Sequence, residues 1–93
     1  MRVRWTQTAF AELGEIRSYI AKDNPAAGKA VVLRIEQVTA RLGRFPRMGS
    51  ATDSPGVRVF PALPFPYLIF YTIEAGEVVI RNVRHASRRR PRQ

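Results

Sequence analysis

At 93 residues the chain has room for one hydrophobic core, which excludes a two-domain enzyme. Its 16 Lys and Arg, all Arg except Lys22 and Lys29, stand against 7 Asp and Glu, so a net charge of +9 favours anionic partners. Without cysteine and with one histidine there is no disulfide framework, no thiolate zinc site and no histidine cluster, and no cofactor or metal is expected.

The charge is uneven. Residues 81–93 hold six arginines and no acid, so the first 80 residues carry 9 − 6 = +3. Nothing at the start resembles an apolar leader, and the longest uncharged stretch, Val59 to Ile73, contains three prolines. These features predict a cytoplasmic protein that no membrane segment anchors.

In chain order, Arg2-Val3-Arg4-Trp5 alternates polar and apolar, the pattern of a short strand with Val3 and Trp5 inward. Thr6 offers a helix N-cap, and Phe10, Leu13, Ile16 and Ile20 then form a helical apolar stripe. Asn24-Pro25 ends that helix and starts a second, with Ala27, Val31, Ile35, Val38 and Leu42 as its stripe and Gly43 as its stop. So tight a link makes the two helices an antiparallel hairpin.

Phe45 to Gly56, dense in Pro, Gly and Ser, reads as a long loop. Val57–Pro61, Phe65–Ile73 and Val78–Arg84 read as strands, the last two joined by a turn over Glu74–Glu77. The predicted architecture is α+β, β-α-α-β-β-β, with the helical hairpin packed on one face of an antiparallel sheet and the other face open. Ile80 and Val83 both look like core residues although a period of two places them on opposite faces, so a bulge is expected near Arg81-Asn82. The face that Arg81 takes stays open. Residues 1–87 read as the domain, and 88–93 as a basic C-terminal tail.

The chemistry is sparse. The six glycines never fall at phosphate-loop spacing, which argues against nucleotide hydrolysis by that route. Ser87 lies close to His85, but neighbouring positions at a strand end rarely give catalytic geometry. His85 is the chain's one imidazole, the side-chain type most used in acid–base chemistry; beside Arg81 and Arg84 it suits general acid or base work on RNA, and it equally suits a strand-end histidine bonded to a backbone carbonyl. Arg58 can hold an anionic partner or form an ion pair with Glu36 or Glu74. Tyr67 and Tyr71 share a face with Ile69 and Ile73, which makes them core residues before it makes them a base-stacking platform. The tail, Arg88-Arg89-Arg90-Pro91-Arg92-Gln93, reads either as a solvated end or as a phosphate or acidic-segment contact.

Several of these features together resemble the RelE/ParE superfamily of bacterial toxins. In the first half they are Thr6 before the Phe10-Leu13-Ile16 stripe, Tyr19-Ile20, the Asn24-Pro25 junction and Pro46-x-x-Gly49. In the second they are Arg58, Pro66-Tyr67-x-x-x-Tyr71, the acidic turn, and the run Val78 to Arg88, whose close Val83-x-His85-Ala86-Ser87-Arg88 is similar to the ParE branch. The resemblance implies a toxin encoded beside a cognate antitoxin that wraps it by coupled folding, with DNA gyrase as its target. It leaves as alternative a RelE-type ribosome-dependent mRNA endoribonuclease using Arg58, Arg81 and His85. RelE-type members commonly carry a tyrosine near the C-terminus, and here none follows Tyr71. In the gyrase reading no residue is catalytic, and Arg84, Arg88, Arg89, Arg90 and Arg92 are the expected target contacts.

Overall fold

The computed structural model describes residues 1–88. The elements run β1 (Arg2–Trp5), α1 (Gln7–Ala21), α2 (Pro25–Arg44), β2 (Ser50–Ala51), β3 (Arg58–Pro61), β4 (Tyr67–Glu74) and β5 (Glu77–His85), then a short 3-10 turn at Ala86–Arg88. Both helix starts form as their caps dictate. The Thr6 hydroxyl accepts from the Ala9 N–H at 3.1 Å, and the Asn24 carboxamide oxygen accepts from the Ala27 N–H at 3.1 Å, with Pro25 where no N–H is needed.

The five strands form one sheet in the order β1-β5-β4-β3-β2, with the helical hairpin against one face. The α+β architecture is therefore the one expected, with two additions. β1 pairs with β5 in parallel, Val3 opposite Val78 and Trp5 opposite Ile80, which makes the sheet mixed. Within the expected loop, Ser50-Ala51 adds a two-residue strand on β3. The β4–β5 hairpin turns through Ala75-Gly76, both at positive φ, which suits the twist of a tight two-residue connection.

The expected bulge is present. Phe70 pairs with Asn82 but Tyr71 pairs with Ile80, so Arg81 is the extra residue and both Ile80 and Val83 face inward. Arg81 itself takes the face away from the helices, where its Nε donates to the Thr72 hydroxyl at 3.2 Å and its guanidinium pairs with Glu74. The Thr72 hydroxyl, and after it Arg81, hold the Glu74 carboxyl below its ordinary pKa.

The core joins Leu13 of α1, Val31, Ile35, Val38 and Leu42 of α2, and Tyr67, Ile69, Tyr71, Val78, Ile80 and Val83 of the sheet. Two readings need correction. Phe10 is 70% exposed, while Ala9 is fully buried, so the inward stripe of α1 is Ala9, Leu13, Ile16 and Ile20. Where a helix lies close to a sheet, the small residue faces in and the large one stays outside. Gly43 does not stop α2, which continues to Arg44; it is buried, and a Cβ there would lie 2.8 Å from Val3 Cγ2 and 2.9 Å from the Met1 carbonyl oxygen. Its value is close approach of α2 to β1, locked by the Met1 amino group donating to the Gly43 carbonyl at 2.9 Å.

Candidate partner-binding groove

β1 ends at Trp5, so the rest of β5 runs without a strand on that side, and an unpaired strand edge must find other partners. α1 supplies them. The Thr6 N–H and hydroxyl both donate to the Ile80 carbonyl, at 3.1 and 3.0 Å. Glu12, two turns of chain further, accepts the Val83 backbone N–H at 2.9 Å and the Asn82 carboxamide at 3.3 Å, and its carboxylate lies 3.7 Å from Arg84 Nε.

These bonds dock α1 beside the last residues of β5 and leave a groove of about 720 Å³ between them. One wall is Glu12, Glu15, Ile16 and Tyr19 of α1; the other is Tyr67, Val83, Arg84 and His85, with Ser87 at its end. An apolar floor with charge of opposite sign on its two lips suits an amphipathic segment of a partner protein. The helix positions 12, 15, 16 and 19 form a helical stripe of their own, legible in principle, but half of it is acidic and an apolar periodicity search passes over it. Replacing Glu12 by Ala leaves the Val83 N–H without its acceptor, which should cost about 1–3 kcal/mol. A thermal melt should show a lowered Tm, with Glu12→Gln intermediate.

His85 sits at the groove's sheet side, its ring edge-on to Tyr67 with centroids 5.3 Å apart. Its Nδ1 accepts the Ser87 backbone N–H at 3.1 Å and lies 2.8 Å from the Ser87 hydroxyl, rather than donating to a backbone carbonyl. With Nδ1 accepting, the neutral ring carries its proton on Nε2. No carboxylate orients this ring among the described residues.

Arg58 pairs with neither Glu36 nor Glu74. It stands opposite Tyr71 on the helix-facing side, and its guanidinium donates to the carbonyls of Gly49 at 2.5 Å and Arg47 at 3.4 Å. Tyr71 works on the same loop: its hydroxyl accepts the Gly49 N–H at 2.9 Å and donates to the Pro46 carbonyl at 2.7 Å. The two side chains thus tie the chain that follows α2 to the sheet. Tyr71 is a core residue as expected, although its hydroxyl is buried in this tether and not at the rim.

Arg58, Arg81 and His85 are accordingly not gathered at one point. Arg58 and His85 share the helix-facing side but stand opposite Tyr71 and Tyr67, four residues apart on β4, and Arg81 points to the other face. Arg84 is held by Glu12 at the groove lip. The Arg88 side chain and Arg89, Arg90 and Arg92 lie outside what the structure describes. Among the described residues no cluster of His, Asp and Glu has the makings of a metal site, and no helix is long and apolar enough to cross a membrane.

Residues 3–90 match the sequence profile of the ParE toxin of type II toxin-antitoxin systems, parDE. The chain belongs to the ParE toxin family. Among curated proteins it is similar to Y4kP from Sinorhizobium fredii, 37% identical over 97% of this chain and 93% of that one. It is also similar to the toxin RelE2 from Caulobacter vibrioides, 34% identical over 94% of this chain and 97% of that one. Its fold matches a chain of the chromosomal ParDE toxin-antitoxin system from P. aeruginosa with a TM-score of 0.81, at 23% identity over 91% of this chain and 95% of that one. As a ParE-family protein it is the toxin component of a type II system, and its natural partner is a cognate antitoxin.

Proposed function

We propose that this ParE-family toxin acts in the cytoplasm on DNA gyrase by binding, without cutting RNA, and that its antitoxin silences it by seating an amphipathic segment in the α1–β5 groove. The observation that carries the reading is the separation of Arg58, Arg81 and His85. A ribonuclease needs its base, acid and phosphate-holding cations within hydrogen-bond reach of one scissile phosphate. Here one arginine is spent on backbone carbonyls, another on Glu74 across the sheet, and the histidine on Ser87.

Arg84, at the groove lip, and the basic run Arg88, Arg89, Arg90 and Arg92 that follows it in the sequence are the residues we assign to contact with the target, because they carry the densest positive charge of the chain.

The test is a comparison of purified protein in two assays. The wild type should inhibit gyrase supercoiling and leave transcripts intact in a translating extract. His85→Ala, folded and with an unchanged melt, should inhibit as the wild type does. A chain ending at Ser87 should inhibit less at low salt, the difference shrinking as salt screens the charge. Loss of toxicity in His85→Ala together with transcript cleavage by the wild type would establish the nuclease reading instead.

A further inference from the structure

Among the described residues, four arginines have acidic partners. Arg2 and Arg4 pair with Glu77, Arg81 with Glu74, and Arg84 with Glu12, so the edge formed by β1 and β5 is largely neutralised. On the helix side of the sheet, where the end of α2 passes β1 and the chain runs on into the loop held by Tyr71 and Arg58, the situation is reversed. From Gln37 to Thr52 the chain contains Arg41, Arg44 and Arg47 and no acid, and all three side chains are exposed. Among the described residues none of the three has a carboxylate within ion-pair distance.

Their placement is fixed. Arg41 and Arg44 are three apart in the last turn of α2, so they are neighbours on its surface, with Cβ atoms about 5–6 Å apart. Arg47 lies in the turn closed by the Met48 N–H bonding to the Phe45 carbonyl, and that turn is the one that Tyr71 and Arg58 pin to the sheet. Between them stands Phe45, 53% exposed, with the Arg44 guanidinium 5.8 Å from its ring centroid. The negative end of the α2 dipole accounts for Arg41 and Arg44 at that terminus. It does not account for Arg47, which lies beyond the helix, or for an aromatic ring left open among cations.

We infer that this corner, Arg41, Arg44, Phe45 and Arg47, binds the phosphodiester backbone of single-stranded nucleic acid, with the Phe45 ring as a platform for an unpaired base. Guanidinium forks match phosphate oxygens bidentately. Base stacking on an exposed aromatic between cations is the usual arrangement of single-strand binding. An acidic protein partner fits less well: protein interfaces need an apolar centre, and this corner offers one phenyl ring, whereas nucleic-acid interfaces are dominated by positive charge. The inference is separate from the gyrase and antitoxin readings and needs neither.

Fluorescence anisotropy with a labelled 20-nucleotide single strand and the corresponding 20-base-pair duplex tests it on the full chain. The wild type should bind the single strand more tightly than the duplex. The variant Arg41→Gln/Arg44→Gln/Arg47→Gln should bind it at least about tenfold more weakly at low salt, and its slope of log affinity against log salt should be shallower by about 2, the value for three lost single-strand phosphate contacts. Phe45→Ala should weaken single-strand binding by about tenfold and leave the duplex nearly unchanged. Arg17→Gln/Lys22→Gln/Lys29→Gln removes the same charge from exposed positions elsewhere on the helices and should have a much smaller effect. Arg47→Gln, a single change in an exposed turn, keeps the test available should the triple variant fail to fold. Equal losses in the two triple variants, no binding by the wild type, or tighter corner-dependent binding of poly-glutamate than of the single strand would each overturn the proposal.

Discussion

A toxin carrying Tyr19→Asp should arrest growth as the wild type does, yet escape rescue when the antitoxin is supplied with it. Tyr19 is 72% exposed on α1 at the lip of the α1–β5 groove, so its replacement removes little from the fold, and the melt should stay within about 0.5 kcal/mol of the wild type. In the complex proposed above, the same ring would be the large aromatic anchor of the interface. Losing such an anchor typically costs about 2–4 kcal/mol, and an aspartate beside Glu12 and Glu15 adds like charge on the same lip. Antitoxin affinity should fall about 30- to 1,000-fold, measurable by titration calorimetry or by the antitoxin dose needed to restore growth. Full rescue of Tyr19→Asp at ordinary dose would place the antitoxin elsewhere on the toxin.

Tyr71→Phe should have the largest effect on stability of any single-atom change in the chain. The hydroxyl is wholly buried and makes two bonds, accepting from Gly49 and donating to Pro46. Phenylalanine fills the same space but strands the Gly49 N–H and the Pro46 carbonyl in a place water reaches poorly. Each unsatisfied group costs about 1–3 kcal/mol, so a loss of about 2–3 kcal/mol is a fair total. For a domain of this size that corresponds to a fall in Tm of about 10–20 °C. Gly49→Ala attacks the same contact from the other side, since its Cβ would lie 2.6 Å from the Tyr71 hydroxyl oxygen. The two substitutions together should cost less than their sum, because they break one shared tether. A melt of Tyr71→Phe within 3 °C of the wild type would mean that water or a loop shift replaces the hydroxyl.

The sequence alone determined the features that are local or periodic. Thr6 and Asn24-Pro25 cap the helices because a short polar side chain satisfies orphan N–H groups wherever a helix begins. The α2 stripe Val31, Ile35, Val38 and Leu42 is buried as its spacing requires, and the conflict of phase between Ile80 and Val83 forces the bulge at Arg81. The run from Val83 to Arg88 carried the ParE resemblance, which the match over residues 3–90 bears out.

What the tertiary structure decided is which of several equivalent residues meets its partner. Phe10 and Ala9 compete for one inward position, and only the distance between α1 and the sheet awards it to alanine. Arg58 has acids available in the sequence, but its place opposite Tyr71 brings it to the carbonyls of Gly49 and Arg47 first. Glu12 looks like an ordinary solvated helix residue until the early end of β1 exposes the Val83 N–H beside it. A strand edge acquires or loses a partner 71 positions away in the chain, and no local preference of either segment encodes that distance. The groove follows from the same cause: it is the space left where a four-residue β1 stops short of a nine-residue β5 and a helix takes its place.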